Sequence, residues 1–396
     1  MSTLLGRPPV ADIMLDDEQS AARAEFADFV DRAIVPVAGD LHRAQRTPPE
    51  LIRTLADVGY LGLPVPREYG GGGCDAVTLG LLAGELGRGC SSLRSLLTVH
   101  TMVAHVLARW GTREQRNSWL PRLAAGSSIA ALALSEPEVG SDAGAVRTRI
   151  TPTDGGFLVD GRKRWITYGH VADVFLVVGR GPDGPTAVLV ERDRAGVRTN
   201  LITDLIGIRA SMTADIRFDQ VRVPEANLVG RVGLGTTQVA GTALDLGRYT
   251  VAWGSVGIIE ACLRASVRYV NDREQFGVLI REHQLVRRMV SDMFADYRAA
   301  RLLCLDAGLR RDRRDPTALP AAALAKYRAS TAAVRAATDA VQLHGANGCS
   351  DSYPVQRYLG DAKVMEIIEG STQLHQVGLA DYAFQEFAAV SMGSQP

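Results

Sequence analysis

One glutamate stands out among the residues able to do chemistry. Glu369 sits in DAKVMEIIEGSTQLHQ (361–376), among Val364, Met365, Ile367 and Ile368, and is followed at once by Gly370-Ser371-Thr372. Apolar surroundings disfavour the charged form of a carboxylate, which raises its pKa toward useful basicity. Gly-Ser-Thr ahead of TQLHQVGLADYAF reads as a helix N-cap, whose free N–H groups suit a phosphate. On residue types alone, a capped surface glutamate remains the alternative.

Three other segments are unlike ordinary filler. ALALSEPEVGSDAGAVRTRI (131–150) is rich in hydroxyls and broken by glycines, so it offers donors to an extended polar ligand; a plain domain-connecting loop has the same composition. RWIT (164–167) sets Trp165 beside a hydroxyl, suited to stacking on a flat heterocycle or to a place in the core. DREQFGVLIREHQ (272–284) is a polar, aromatic break between long helical runs, and an interhelix turn explains it equally well.

Several classes drop out. There is no G-x-S-x-G, G-x-x-x-x-G-K-[ST] or H-E-x-x-H, and GGGG at 70–73 follows a helical stretch rather than a strand. The seven histidines are dispersed. The five cysteines (Cys74, Cys90, Cys262, Cys304, Cys349) never form a C-x-x-C pair, which argues against a disulfide framework and a metal site. Lysine plus arginine equals aspartate plus glutamate at 44 each, so no global field draws nucleic acid or an anionic membrane. With no apolar run near the ~20 residues that span a bilayer, and acidic residues where a signal peptide needs an apolar stretch, a cytoplasmic soluble protein is expected.

The elements that must position these segments fall into three regions. The 396 residues allow two or three domains. From Leu15 to Gly126 the pattern is helical; Ala21, Phe26, Phe29, Val30 and Ile34 fall on one apolar face, and PVPREYGGGG (64–73) breaks the run. After Gly126 the period shortens. FLVDGRKRWIT reads as a hairpin turning at Asp160-Gly161, DVFLVVGR and TAVLVER as a second pair, and TADIRFDQVRVP as a half-buried strand. From Gly235 three helical runs of 25 residues or more suit an antiparallel bundle. The expected fold is α+β but mostly α: an N-terminal helical domain (1–128), a central β-barrel domain (129–235) and a C-terminal four-helix bundle (236–396).

In this order and spacing, the four segments resemble signatures of the acyl-CoA dehydrogenase flavoprotein family over nearly the whole chain. SEPEVGSD is similar to its TEPGAGSD stretch, GRKRWITYGHVAD to G-x-K-x-WITNG-x-x-A, REQFG to R-x-x-FG, QLHGANG to QxxGGxG, and IIEGSTQ to YEGTSQ. The resemblance implies FAD, with Leu134, Ser135, Ser141, Trp165 and Thr167 along the flavin and pyrophosphate. Arg273, Phe276, His283, Gln284, Gln342 and Gly345 would bind FAD across a subunit boundary, and Ser371 and Gln373 would complete the cofactor site. It therefore also implies a homo-oligomer, commonly a tetramer, with an electron-transfer flavoprotein as a candidate acceptor. Glu369 matches the base that removes the α-proton of a thioester, and Ser141, Asp245 and Arg248 match substrate contacts. Some relatives carry the base on the bundle helix; that position is Gly247 here. The family's RDA before this motif is Gly360-Asp361-Ala362, leaving its arginine without a counterpart.

CSSLRSLLTVH (90–100) bears on the acyl group. In the family this helix lines the acyl pocket, and here it carries Arg94 and Ser95. Glutaryl-CoA dehydrogenases use a similar arginine to grip a distal carboxylate. The carrier-protein dehydrogenases of hydroxymalonyl and methoxymalonyl polyketide extender-unit pathways share CSSLRS. The expected substrate is a short polar or anionic acyl thioester, on an acyl carrier protein or on CoA. An ion pair of Arg94 with a glutamate such as Glu85 is the structural alternative. A catabolic glutaryl-CoA-like enzyme and a flavin monooxygenase on the same fold are the other functional readings.

Overall fold

The computed structural model describes residues 14–392. The opening stretch through Ile13, on which the reading against a signal peptide partly rests, lies outside the described residues. Asp16 starts the first helix, α1 (Asp17–Phe29), through a capping box with Gln19, and a π turn continues it to Ile34. Phe26, Val30 and Ile34 are buried as the pattern predicts, but Ala21 is exposed, because the stripe runs through Gln19 instead. After α2 (Ala38–Ala44) and α3 (Pro49–Asp57) come α4 (Ala76–Gly89) and α5 (Ser91–Trp110), both buried along almost their whole length, then α6 (Arg113–Ala124). Burial all round explains why neither α4 nor α5 shows a polar face.

The middle region forms one seven-stranded sheet. Its strands are β1 (Ala130–Ala133), β2 (Arg149–Thr153), β3 (Gly156–Ile166), β4 (Val174–Gly181), β5 (Gly184–Glu191), β6 (Val197–Leu201) and β7 (Ala214–Pro224). The order is β1-β4-β2-β3-β7-β6, with β5 branching from β4. The sheet curls strongly. Phe175 of β4 and Phe218 of β7 are three places apart in that order, yet meet edge to face at 6.2 Å.

The hairpin expected at Asp160-Gly161 is a correction. β3 runs straight through it as an 11-residue strand, and the turn falls at Asp154-Gly155, where Gly155 has φ 75° and Thr153 pairs with Gly156. Gly161 instead marks a bulge. The register with β7 shifts between Val159 and Gly161, and a side chain there would meet Thr148.

The C-terminal region holds α7 (Gly241–Asp272), a two-residue ladder of β8 (Glu274–Gln275) with β9 (Val278–Leu279), α8 (Gln284–Asp312), α9 (Ala318–His344), α10 (Val355–Met365) and α11 (Thr372–Met392). α7 packs against both the bundle and the N-terminal helices, so it is the wall common to the two helical regions. Among the described residues no helix is long and apolar enough to cross a membrane.

Candidate active site

Glu369 follows α10 in a turn that reverses into α11. It adopts φ 57° and Gly370 adopts φ 97°, a left-handed pair that swings the glutamate back toward the bundle. Ser371 Oγ accepts the Leu374 N–H at 3.4 Å, the expected N-cap. The carboxyl Oε2 is out of solvent contact and has no hydrogen-bond partner among the described residues. Burial raises the Glu369 pKa to about 7, against the opposing pull of Arg248, Arg94 and Lys326. That is the protonation range a general base needs near neutrality.

Two glycines of α7 clear space for this chemistry. A Cβ on Gly247 would collide with Glu369 Oε2, so the alternative position for a base and the base itself converge on one point. About two turns later, a Cβ on Gly254 would meet the Arg94 side chain at 2.8 Å. Arg94, on α5, is fully buried. Its Nη1 donates to Thr98 Oγ1 (3.0 Å), and its Nη2 to Ser95 Oγ (3.0 Å) and Met365 Sδ (3.1 Å). Thr98 in turn bonds Thr250 at 3.0 Å. Arg94 Nε has no partner.

The ion pair of Arg94 with Glu85 is not formed. Glu85 binds Arg88 at 2.7 Å and Arg23 at 3.5 Å, and Arg94 has no carboxylate within ion-pair distance among the described residues. Burial lowers the Arg94 pKa to about 10, with Glu369 and then Asp361 as the opposing charges. Ser95 is committed internally, donating to Ser91 O at 2.9 Å while accepting from Arg94. It orients the guanidinium.

The other expected substrate contacts divide. Arg248 Nε donates to the Glu369 carbonyl at 3.3 Å, which places it at the site. Asp245 is tied to Arg311 at 2.6 Å through Oδ2, leaving Oδ1 buried and unpartnered. Gly360 answers the missing arginine: its backbone packs directly on Ile206 and Gly207 of the β domain, and any side chain at Gly360 or Gly207 would strike the other strand of chain. Asp361 Oδ1 then accepts the Ile208 N–H at 2.6 Å.

The expected cofactor residues form two groups. Leu134, Ser135 and Ser141 follow β1, while Trp165 and Thr167 close β3. Trp165 has φ 64° and is 50% exposed, with the Arg164 guanidinium 4.7 Å from its ring, so it is not a core tryptophan. The first loop is fastened by a pair that the sequence reading missed. Fully buried Lys163 donates to Glu136 (2.7 Å) and to Leu134 O (2.7 Å), and Glu136 accepts the Arg147 and Thr148 N–H groups. The second group lies at the α7–α8 junction and the end of α9. Arg273, Phe276, Gln284, Gln342 and Gly345 are exposed, Phe276 by 94%, while His283 is half-buried with an unpartnered Nε2. Among the described residues, no hydrogen bond, ion pair or ring contact joins the two groups. Gln373 is exposed in the first turn of α11.

Comparison with known proteins agrees with this geometry. Domain profiles described as acyl-CoA dehydrogenase N-terminal, middle and C-terminal domains match residues 16–127, 131–221 and 234–381. An acyl-CoA dehydrogenase of Bacillus subtilis is 36% identical over 371 residues, covering 92% of this chain and 97% of the relative. Glutaryl-CoA dehydrogenase from Mycobacterium smegmatis superposes with a TM-score of 0.90 at 30% identity, over 95% of this chain and 98% of that one. FkbI, described for biosynthesis of the methoxymalonyl extender unit of the polyketide FK520, superposes at 0.84 with 34% identity, over 92% and 99%.

A curled β domain lies between two helical regions with a buried glutamate at their junction, and the matched domain profiles make this arrangement that of a flavin-dependent dehydrogenase. The chain belongs to the acyl-CoA dehydrogenase family. It is an FAD-dependent oxidoreductase acting on CH–CH bonds. Its residues fit the cofactor. The hydroxyls of Ser135, Ser141 and Thr167 are not used by other protein groups among the described residues, and Trp165 is half exposed.

Proposed function

We propose that this enzyme dehydrogenates a short, polar or anionic acyl thioester carried on an acyl carrier protein, with Glu369 as base and Arg94 as the acyl-end anchor. The observation that carries the reading is Arg94: a guanidinium at full burial, oriented by three neutral groups, with no carboxylate of the described residues in contact. Such a charge is costly unless an anion or a strong acceptor meets it. A carboxylate or hydroxyl on the acyl chain supplies that partner.

Glu369 takes the α-proton through the oxygen that the fold leaves unpartnered. Leu134, Ser135, Trp165 and Thr167 would hold FAD, which when bound would supply the hydride acceptor for the β-carbon. The developing enolate oxygen needs preset donors. The Glu369 N–H, which no carbonyl of the described residues accepts, is one. Arg248 fixes the other side of the same peptide through the Glu369 carbonyl. Arg273, Phe276, His283, Gln284, Gln342, Gly345, Ser371 and Gln373 complete the cofactor site, the first six toward a neighbouring subunit of a homo-oligomer.

The likeness to FkbI, described for biosynthesis of an extender unit, supports the extender-unit resemblance from which the carrier protein is inferred, and the likeness to glutaryl-CoA dehydrogenase supports a second reading, a CoA-bound dicarboxylate. Mass spectrometry of matched carrier-bound and CoA-bound thioesters, before and after incubation with FAD-loaded enzyme, separates them. A two-dalton loss on the carrier-bound polar acyl group alone is the expected result. Turnover confined to CoA thioesters would transfer the assignment to the second reading.

A further inference from the structure

Lys326 lies midway along α9, is fully buried, and has no role in the account above. Its Nζ donates to the Gly370 carbonyl at 2.6 Å and to the Glu366 carbonyl at 3.3 Å. Those two carbonyls bracket Glu369. The bracketed turn holds Glu369 in the left-handed region, which a residue with a Cβ enters at a cost, so something outside the turn must hold it there. Thr372 adds a backbone N–H to the same Glu366 carbonyl at 3.0 Å, and Arg248 holds the Glu369 carbonyl.

A neutral donor would suffice to cap two carbonyls. Here the donor is an ammonium with no carboxylate in ion-pair contact among the described residues, and the largest carboxylate influence on it is Glu369 itself. We propose, on the reading of Glu369 as base, that Lys326 is a positioning residue: it clamps the turn and its charge favours the proton-accepting form of Glu369. The surroundings are consistent. Glu366 is already paired with Lys363 at 2.6 Å; Arg248 of α7 and Arg94 of α5 are the other cations facing Glu369. On α11, His375 faces Gly370, and burial, ahead of Lys326 and Arg248, holds its pKa down to about 4, so it carries no charge near neutrality. Burial also lowers the Lys326 pKa to about 8, with Glu369 opposing, which keeps it charged at neutral pH.

The test follows Glu369 directly by pH-difference infrared spectroscopy of FAD-loaded protein, its carboxyl band being the one lost in Glu369→Gln. Lys326→Gln keeps a donor but removes the charge, Lys326→Met removes both, and Lys326→Arg keeps both. The Glu369 midpoint moves up by about 0.5–1 pH unit in the Gln and Met variants and stays in place in the Arg variant. In the Met variant, substrate-driven flavin reduction also slows about tenfold or more, with little change in substrate affinity. Coincident midpoints in wild type, Lys326→Gln and Lys326→Met overturn the proposal even if melting temperatures fall, since a merely structural lysine does not move a titration. If wild type shows no band that Glu369→Gln removes, the buried-base reading of Glu369 fails instead.

Discussion

Two buried charged pairs sit some way apart in this molecule and are built in opposite ways. In the β domain, Lys163 and Glu136 are in contact at 2.7 Å, and the remaining capacity of each goes to backbone groups of the loop they fasten. In the helical junction, Arg94 and Glu369 are both withdrawn from water, and each is the other's largest or next-largest charged influence, yet they do not touch and each keeps an unpartnered polar atom. The first circuit is closed within the chain. The second is open across a gap, and on the proposed function its open ends are where a thioester would be deprotonated and gripped. A buried charge that finds its partner inside the protein is structural, and one that does not marks where a ligand completes the circuit.

Breaking the open circuit at its basic end has the largest expected effect. Glu369→Gln keeps shape and hydrogen bonding but cannot take a proton, so FAD content should hold while flavin reduction by substrate slows at least ~100-fold, measured by stopped-flow absorbance. Reduction at the wild-type rate would remove Glu369 from the role of base.

Breaking the closed circuit should look different. Lys163→Met leaves Glu136 buried without its cation, a change expected to cost about 3–5 kcal/mol. Thermal unfolding should shift down and FAD should be lost on dilution, because the 134–141 loop is what the pair holds. The relative rates on different acyl groups, in whatever fraction keeps its flavin, should not change. A variant with wild-type melting and altered acyl preference would undo the distinction between the two circuits.

The pattern of legibility follows the same divide. Of the open circuit, Glu369 was readable in the sequence because its apolar setting breaks a local rule, whereas Arg94 was reached only through the resemblance to a family whose corresponding helix lines the acyl pocket. Also readable were the long helices of the bundle, whose apolar stripes repeat over many turns. The closed circuit was hidden: Lys163 in an alternating strand reads as a solvent-facing residue until Glu136, 27 positions earlier, is brought beneath it. Asp160-Gly161 misled for a related reason, because the same dipeptide serves a turn or a bulge and only the pairing of β3 with β2 and β7 decides. Gly360 carried no readable signal at all, since its purpose is contact with Gly207 across more than 150 residues.

A smaller effect sharpens the comparison by pH. The ordinary Glu369 value is 4.5 and its value in the fold is about 7, so the fold favours the neutral acid. That advantage is fully present below about 4.5 and is lost as pH rises through 7. Glu369→Gln should therefore melt a few degrees higher than wild type at pH 8 and no higher at pH 4.5, by differential scanning calorimetry. A constant difference across that range would mean that the carboxyl is not desolvated.

The most direct test of the open circuit compares two substrates in wild type and Arg94→Met. Truncating one partner of a buried charge pair costs about 2–5 kcal/mol, which is roughly 30-fold to a few thousand-fold in kcat/KM. The loss should fall on a carboxylated or hydroxylated acyl thioester, while turnover of a plain butyryl thioester on the same carrier holds or rises. An equal loss on both substrates would show that Arg94 supports the fold and does not meet the acyl group, and the polar-substrate assignment would fall with it.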